Sequence, residues 1–128
     1  MNFHISRIVD GGFDEVIARV TEALKGEGFG VLTQIDVTAT LKGKLGKDFR
    51  PYRILGACNP GLAFEALSAE PRVGVMLPCN VVVQQHDDGR VEISAIDPAA
   101  PMGAIGNPAL TSVGVTVRDK LARVVAAV

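Results

Sequence analysis

The sequence has no tryptophan and a single tyrosine, and aromatics make up only 5% of its 128 residues. Stacking platforms for bases are therefore scarce. Excess charge is missing too: the formal net charge is −1 and the pI about 6.1. A general electrostatic hold on nucleic acid needs a basic footprint, so no nucleic-acid partner is expected. No apolar run approaches the ~18 residues of a membrane span. The opening MNFHISRIVDGG has neither the apolar stretch nor the cleavage pattern of a signal peptide. The expectation is a cytoplasmic protein with no membrane partner. The two cysteines make no disulfide framework, and in a reducing compartment both rest as thiols.

What is abundant is small and aliphatic. Hydrophobic residues make up 48% of the chain, which predicts a packed globule rather than disorder. The length suits one domain spanning 1–128. With so few aromatics, valine, alanine and leucine must fill the core. There is no internal repeat, low-complexity segment or flexible linker.

Along the chain, FHISRIVD reads as a short strand with Phe3 and Ile5 on one face. Residues 13–25 carry Phe13, Val16, Ile17, Val20 and Leu24 at the spacing of one buried helical stripe. Asp14 and Glu15 sit at the positive end of that helix, and Gly26 and Gly28 stop it. Residues 30–37 alternate Val31, Thr33, Ile35 and Val37 against Leu32, Gln34 and Asp36 as a second strand. A short helical turn follows, with Thr38 as its cap, Leu41 and Leu45 one turn apart, and Gly43 and Gly46 limiting it.

Residues 52–58 form a third strand, after which Asn59-Pro60 opens a helix over 60–69. Asn is a favoured N-cap, and Pro suits the first helical position because its missing N–H has no partner there anyway. That helix is read as burying Leu62, Ala63, Ala66 and Leu67 and stopping at Pro71. The same Asn-Pro pair recurs at Asn107-Pro108, ahead of a final helix over 108–126. There Leu110, Val113, Gly114, Val117, Leu121, Val124 and Val125 fall in register.

Strands over 79–85 and 90–96 flank His86-Asp87-Asp88-Gly89. A two-residue turn pairs position 83 with 94, whereas a three-residue loop with Gly89 left-handed pairs 83 with 93. Only the second places Val81 and Val83 on the face of Val91, Ile93 and Ala95, and register follows the buried face. Cys79 then points toward the core. Residues 97–106, DPAAPMGAIG, read as a connector. The order is β-α-β-(short α)-β-α-β-β-α: an α+β two-layer domain with an antiparallel or mixed five-stranded sheet and helices on one face.

The candidate chemistry centres on the two Cys-Asn pairs, Cys58-Asn59 and Cys79-Asn80. Cys58 lies just before a helix N-terminus, where backbone N–H groups and the dipole favour thiolate. A strand–helix–strand path can bring Cys79 to it. A redox dithiol, two thiolates of a soft-metal site, and a thiolate ligand to haem are the functional readings. The structural reading is that both are small buried hydrophobes. Zinc wants four ligands with closely spaced Cys or His pairs, and there is no C-x-x-C. His86 with Asp87 and Asp88 reads as a solvated turn. Lys42, Lys44, Arg50 and Arg53 form a weak anion-binding candidate, read otherwise as a solvated loop balanced by Asp36 and Asp48. No phosphate loop, dinucleotide fingerprint or nucleophile elbow is present, and the cofactor stays open.

PYRILGACNPGLAFEAL, followed by VGVMLPCNVVV and SAIDP, resembles the bacterial and archaeal family known as domain of unknown function 302. GEGFGVLTQIDV and the closing helix fit it as well, so the resemblance spans essentially the whole chain. It implies a small α+β domain with a TATA-binding-protein-like sheet and a tendency to form homodimers. It implies no DNA binding, since one fold hosts unrelated functions, and no established activity. The family's positions fall on Cys58, Asn59, Pro60, Pro78, Cys79 and Asn80. Some relatives occur in sulfur-metabolising or haem-containing contexts, but the chain has no C-x-x-C-H for covalent haem. The expected function is a homodimeric module binding a small ligand, haem or soft metal in a pocket edged by Cys58 and Cys79. The alternatives are a thiol redox or sulfur-handling protein and a purely structural or interaction domain.

Overall fold

The hairpin near residue 88 sets the facing of the sheet. In the computed structural model, which describes residues 2–128, His86 N–H donates to the Arg90 carbonyl at 2.8 Å and Gly89 N–H to the His86 carbonyl at 2.9 Å. Gly89 takes φ of 89°, which a side chain would resist. This closes the three-residue loop and pairs Val83 with Ile93 and Val81 with Ala95. Val81, Val83, Val91, Ile93 and Ala95 are consequently all buried on one face.

The strands are β1 (His4–Val9), β2 (Gly30–Asp36), β3 (Tyr52–Cys58), β4 (Cys79–Gln85) and β5 (Val91–Ile96). They form one sheet in the order β1-β5-β4-β3-β2, antiparallel at every pairing. The helices are α1 (Phe13–Gly26), α2 (Val37–Leu45), α3 (Pro60–Ala69), α4 (Ala99–Ala104) and α5 (Pro108–Ala127), with a 3-10 turn at Pro71–Met76. Helices pack on one face, giving the α+β architecture.

The core lies between that face and the apolar stripes of α1 and α5. Val16, Ile17, Val20 and Leu24 of α1 are buried. In α5, Leu110, Val113, Gly114, Val117, Leu121, Val124 and Val125 are buried, the set the spacing predicts. Arg7 crosses from β1 to the end of α5, its Nη1 donating to the carbonyls of Val125 at 3.2 Å and Ala126 at 3.0 Å. A cation at the negative end of the helix suits both the dipole and the unpaired carbonyls.

Several local expectations are corrected. The alternation of β2 breaks at a bulge between Val31 and Thr33. Val31 pairs with core-facing Ala57, but Thr33 pairs with Gly56 and points to the opposite side. The cap of α2 is Asp36, whose side chain accepts from Ala39 N–H at 2.9 Å. Thr38 instead stitches the helix to β3, donating to the Arg50 carbonyl at 2.7 Å and accepting from Tyr52 N–H at 2.9 Å. Gly43 lies within α2, and Gly46 ends it with φ of 64°.

Residues 97–106 are not a bare connector. Asp97 accepts from Ala99 N–H at 3.1 Å just ahead of α4, which buries Met102. α4 lies against Gly114, where an added Cβ would meet Met102 Cβ at 3.0 Å and the Pro98 carbonyl at 3.2 Å. On α3 only Ala66 is buried; Leu62 and Ala63 are half-buried and Leu67 is exposed. Phe3 stands exposed beyond the end of β1, unlike half-buried Ile5.

Candidate functional site

The junction of β3 with α3 is built by one asparagine used at both ends. Asn59 Oδ1 accepts from Leu62 N–H at 3.2 Å, capping α3, while Nδ2 donates to the Glu27 carbonyl at 3.4 Å beyond the end of α1. Gly28, with φ of 85°, leaves room for that amide, since a Cβ there would lie 3.0 Å from Asn59 Nδ2. Asn107 repeats the device. Its Oδ1 accepts from Ala109 N–H at 3.0 Å and its Nδ2 donates to the Ala69 carbonyl at 3.2 Å. Each Asn-Pro pair therefore caps one helix and ties it to the end of another. Asn59→Ala is expected to lower stability by about 1 kcal/mol, the usual value of an N-cap. Asn59→Ser, which keeps the cap and loses the tie to Glu27, should recover part of this in urea titrations. Equal stability of all three proteins would contradict the assigned role.

Beside this junction lies an apolar cavity of about 270 Å³. Cys58 and Asn59 reach it from the end of β3, and Leu77, Pro78 and Cys79 from the start of β4. Phe29 enters from the loop before β2, Met102 from α4, and Val113 and Val117 from α5. The space exists because its other walls are small: Ala57 on β3 and Ala63 and Ala66 on α3. Leu32, 69% exposed beside the bulge, stands at the opening.

Both cysteines are free thiols; Cys58 is half-buried and Cys79 buried. Cys79 lies on the core side with Val81 and Val83, as the hairpin register requires. Burial, with a smaller contribution from the neighbouring Cys58, pushes the Cys79 thiol up to about 11. At neutral pH it is an uncharged thiol, a weak donor and weak acceptor.

Of the residues singled out in the sequence, Cys58, Asn59 and Cys79 meet at this cavity, but Asn80 does not. Strand alternation turns Asn80 to the other face of the sheet, where it lines a separate, more polar cleft of about 350 Å³ with His4, Ser6, Gln84, Glu92 and Ser94. There Ser6 hydrogen-bonds His4 Nδ1 at 2.6 Å and donates to Ser94 at 2.7 Å. The basic residues near α2 mostly meet local partners. Lys42 pairs with Asp48 at 2.9 Å and Arg53 with Asp36 at 3.6 Å, while Arg50 stacks over the Phe49 ring. Lys44 is exposed in the last turn of α2. His86 bonds Glu92 at 3.1 Å. Among the described residues no group of three or more His, Cys, Asp and Glu is gathered to hold a metal. Cys58 and Cys79 offer two ligands at most.

Sequence reasoning missed the walls. Phe29, Met102 and Val117 belong to segments far apart in the chain: Val117 reads as part of the last helix's stripe, Met102 falls in the stretch read as a connector, and Phe29 carries no signal of its own. Gly56 and Thr33 were missed for the same reason: a Cβ on Gly56 would collide with Thr33 Oγ1 and lie 2.8 Å from Pro78 Cγ. The glycine lets Thr33 and Pro78 close over the strand beside the opening.

An open five-stranded antiparallel sheet under one helical layer, with an apolar cavity edged by Cys58 and Cys79, defines a small α+β domain. The chain belongs to the family described as Domain of unknown function DUF302, whose profile matches residues 5–128. It is similar to a solved structure, the crystal structure of an uncharacterized conserved protein DUF302 from Bacillus stearothermophilus. The two share 38% identity over 98% of each chain, with a TM-score of 0.90. A search among curated proteins finds no match. Among the described residues no helix is long and apolar enough to cross a membrane.

Proposed function

We propose that this chain is a cytoplasmic, homodimeric ligand-binding module whose site is the cavity edged by Cys58 and Cys79. One observation carries the reading: residues from two strand ends and three helices leave a void beside the motifs by which the family is recognised. A core ordinarily fills such a space, and ligand sites are typically concave and largely apolar. Dimer formation is supported by large apolar side chains left in water, with Phe64 74% and Val75 89% exposed.

The test is a thermal-shift screen of charged, polar and apolar small molecules, haemin and zinc. Ala63→Leu, which fills the cavity, serves as the blocked control. Compounds that stabilise the wild type and leave the filled variant unmoved support the site; a screen without any such compound overturns it. Sedimentation at micromolar concentration should give twice the chain mass, and a monomer would remove the dimer from the proposal.

A second reading, thiol redox chemistry, draws support from two free thiols on one cavity wall. It requires that mild oxidation with diamide join Cys58 to Cys79 within one chain. Recovery of both free thiols after that treatment would exclude it.

A further inference from the structure

We infer that the cavity between α3, α5 and the adjoining ends of β3 and β4 takes an uncharged, apolar molecule of about ten non-hydrogen atoms with at most one polar head. The inference rests on reading that cavity as a ligand site and names the class of ligand it selects.

The first observation is the charge of the wall. Among the described residues no Asp, Glu, Lys, Arg or His lines the cavity. A carboxylate, phosphate or ammonium entering it would lose its water and find no counter-charge, a heavy cost in an apolar surrounding. The haem propionates meet the same difficulty. A divalent metal such as zinc takes four ligands and would find two cysteines on this wall.

The second observation is the supply of hydrogen bonds. Asn59 is the polar side chain on the wall apart from the thiols, since Thr33 turns its hydroxyl with Gly56 to the opposite face of the sheet. Asn59 is already engaged with Leu62 N–H and the Glu27 carbonyl. The single polar head is therefore left at the opening beside exposed Leu32, where it meets water. The apolar part of the ligand would lie inward against Ala66, Met102 and Val117, all buried.

The third observation is size. A space of about 270 Å³ corresponds to roughly nine water-sized units at ~30 Å³ each. That suits a medium-length aliphatic alcohol or a single substituted aromatic ring. A concave, largely apolar space of this kind favours apolar guests.

The experiment compares a matched pair, 1-octanol and octanoate, by calorimetric titration of the full chain at pH 7. 1-Octanol has about nine non-hydrogen atoms, filling the space with one hydroxyl left at the opening. Expected are saturable binding of 1-octanol, binding of octanoate weaker by at least about tenfold, and loss of octanol binding in Ala63→Leu. Should that variant not fold, amide shift mapping of the wild type with 1-octanol gives the same location. The largest changes are expected near Ala57, Ala63, Cys79 and Val117.

Octanoate binding as tightly as octanol would overturn the uncharged class while leaving the ligand site standing. So would stoichiometric binding of haemin or zinc without octanol. Octanol shifts confined to the opposite sheet face would overturn the assignment of the cavity. No binding by octanol, octanoate, haemin or zinc would sink the ligand-site reading itself and this inference with it.

Discussion

Gly56→Val is expected to destabilise the chain by about 2 kcal/mol, although valine is far the better strand former. Strand propensity alone favours the substitution by up to ~1 kcal/mol. Against that stands the space at the site. The new Cβ collides with Thr33 Oγ1 and lies 2.8 Å from Pro78 Cγ. Forcing atoms into a filled site typically costs about 1–3 kcal/mol or more, so sterics outweigh propensity. Gly56→Ala should show a smaller loss of the same kind. Combining it with Thr33→Ala should restore part of it, because the nearest obstructing atom is then gone. A coupling of about 1 kcal/mol in that double-mutant cycle is expected. Urea titrations give all four stabilities. Unchanged or increased stability of Gly56→Val would mean that Thr33 and Pro78 do not close over β3 as described.

The second large effect is on pH dependence. The Cys79 thiol titrates ordinarily near 9.0 and is pushed up to about 11 in the folded chain, chiefly by burial. Below pH 9 both folded and unfolded chains hold the proton, and the thiol leaves stability unchanged with pH. Between about pH 9 and 11 the unfolded chain releases its proton while the folded chain keeps it, so stability falls as pH rises. One unit of difference is worth about 1.4 kcal/mol, so the loss across that window is about 2–3 kcal/mol. Cys79→Ala removes the titrating group and should flatten this part of the profile, whatever it does to stability at neutral pH. Comparing the slopes of the two proteins also removes the shared titration of tyrosine and lysines. Parallel profiles would show that Cys79 is solvated rather than buried.

Much of the fold is legible in the sequence where one face must be buried. The 83-to-93 register followed from Val81, Val83, Val91, Ile93 and Ala95 all needing one side. The stripe of α5 followed from helical spacing, and the two Asn-Pro caps from local chemistry. Local chemistry misled at α2, because Asp36 and Thr38 are both competent caps. Only the tertiary link of Thr38 to Arg50 and Tyr52 decides between them. The bulge at Leu32 is hidden because GVLTQID carries apolar side chains on both alternating sets. α4 is hidden among prolines and glycines whose helical state depends on docking against Gly114.

The candidate site was half legible. Cys58, Asn59 and Cys79 do come together, but strand alternation sends Asn80 to the opposite face. A cavity leaves little mark in sequence: Ala57, Ala63 and Ala66 look like any small residues until the layers are assembled around them. The long-range ties, from Arg7 to the end of α5 and from Asn59 to Glu27, likewise emerge only when the chain folds.

The most direct measurement of a ligand site between the two cysteines is calorimetric titration of 1-octanol into the intact chain and into Ala63→Leu. The expected result is saturable binding to the intact chain that disappears when the cavity is filled. Equal binding to both proteins, or binding to neither, would contradict it.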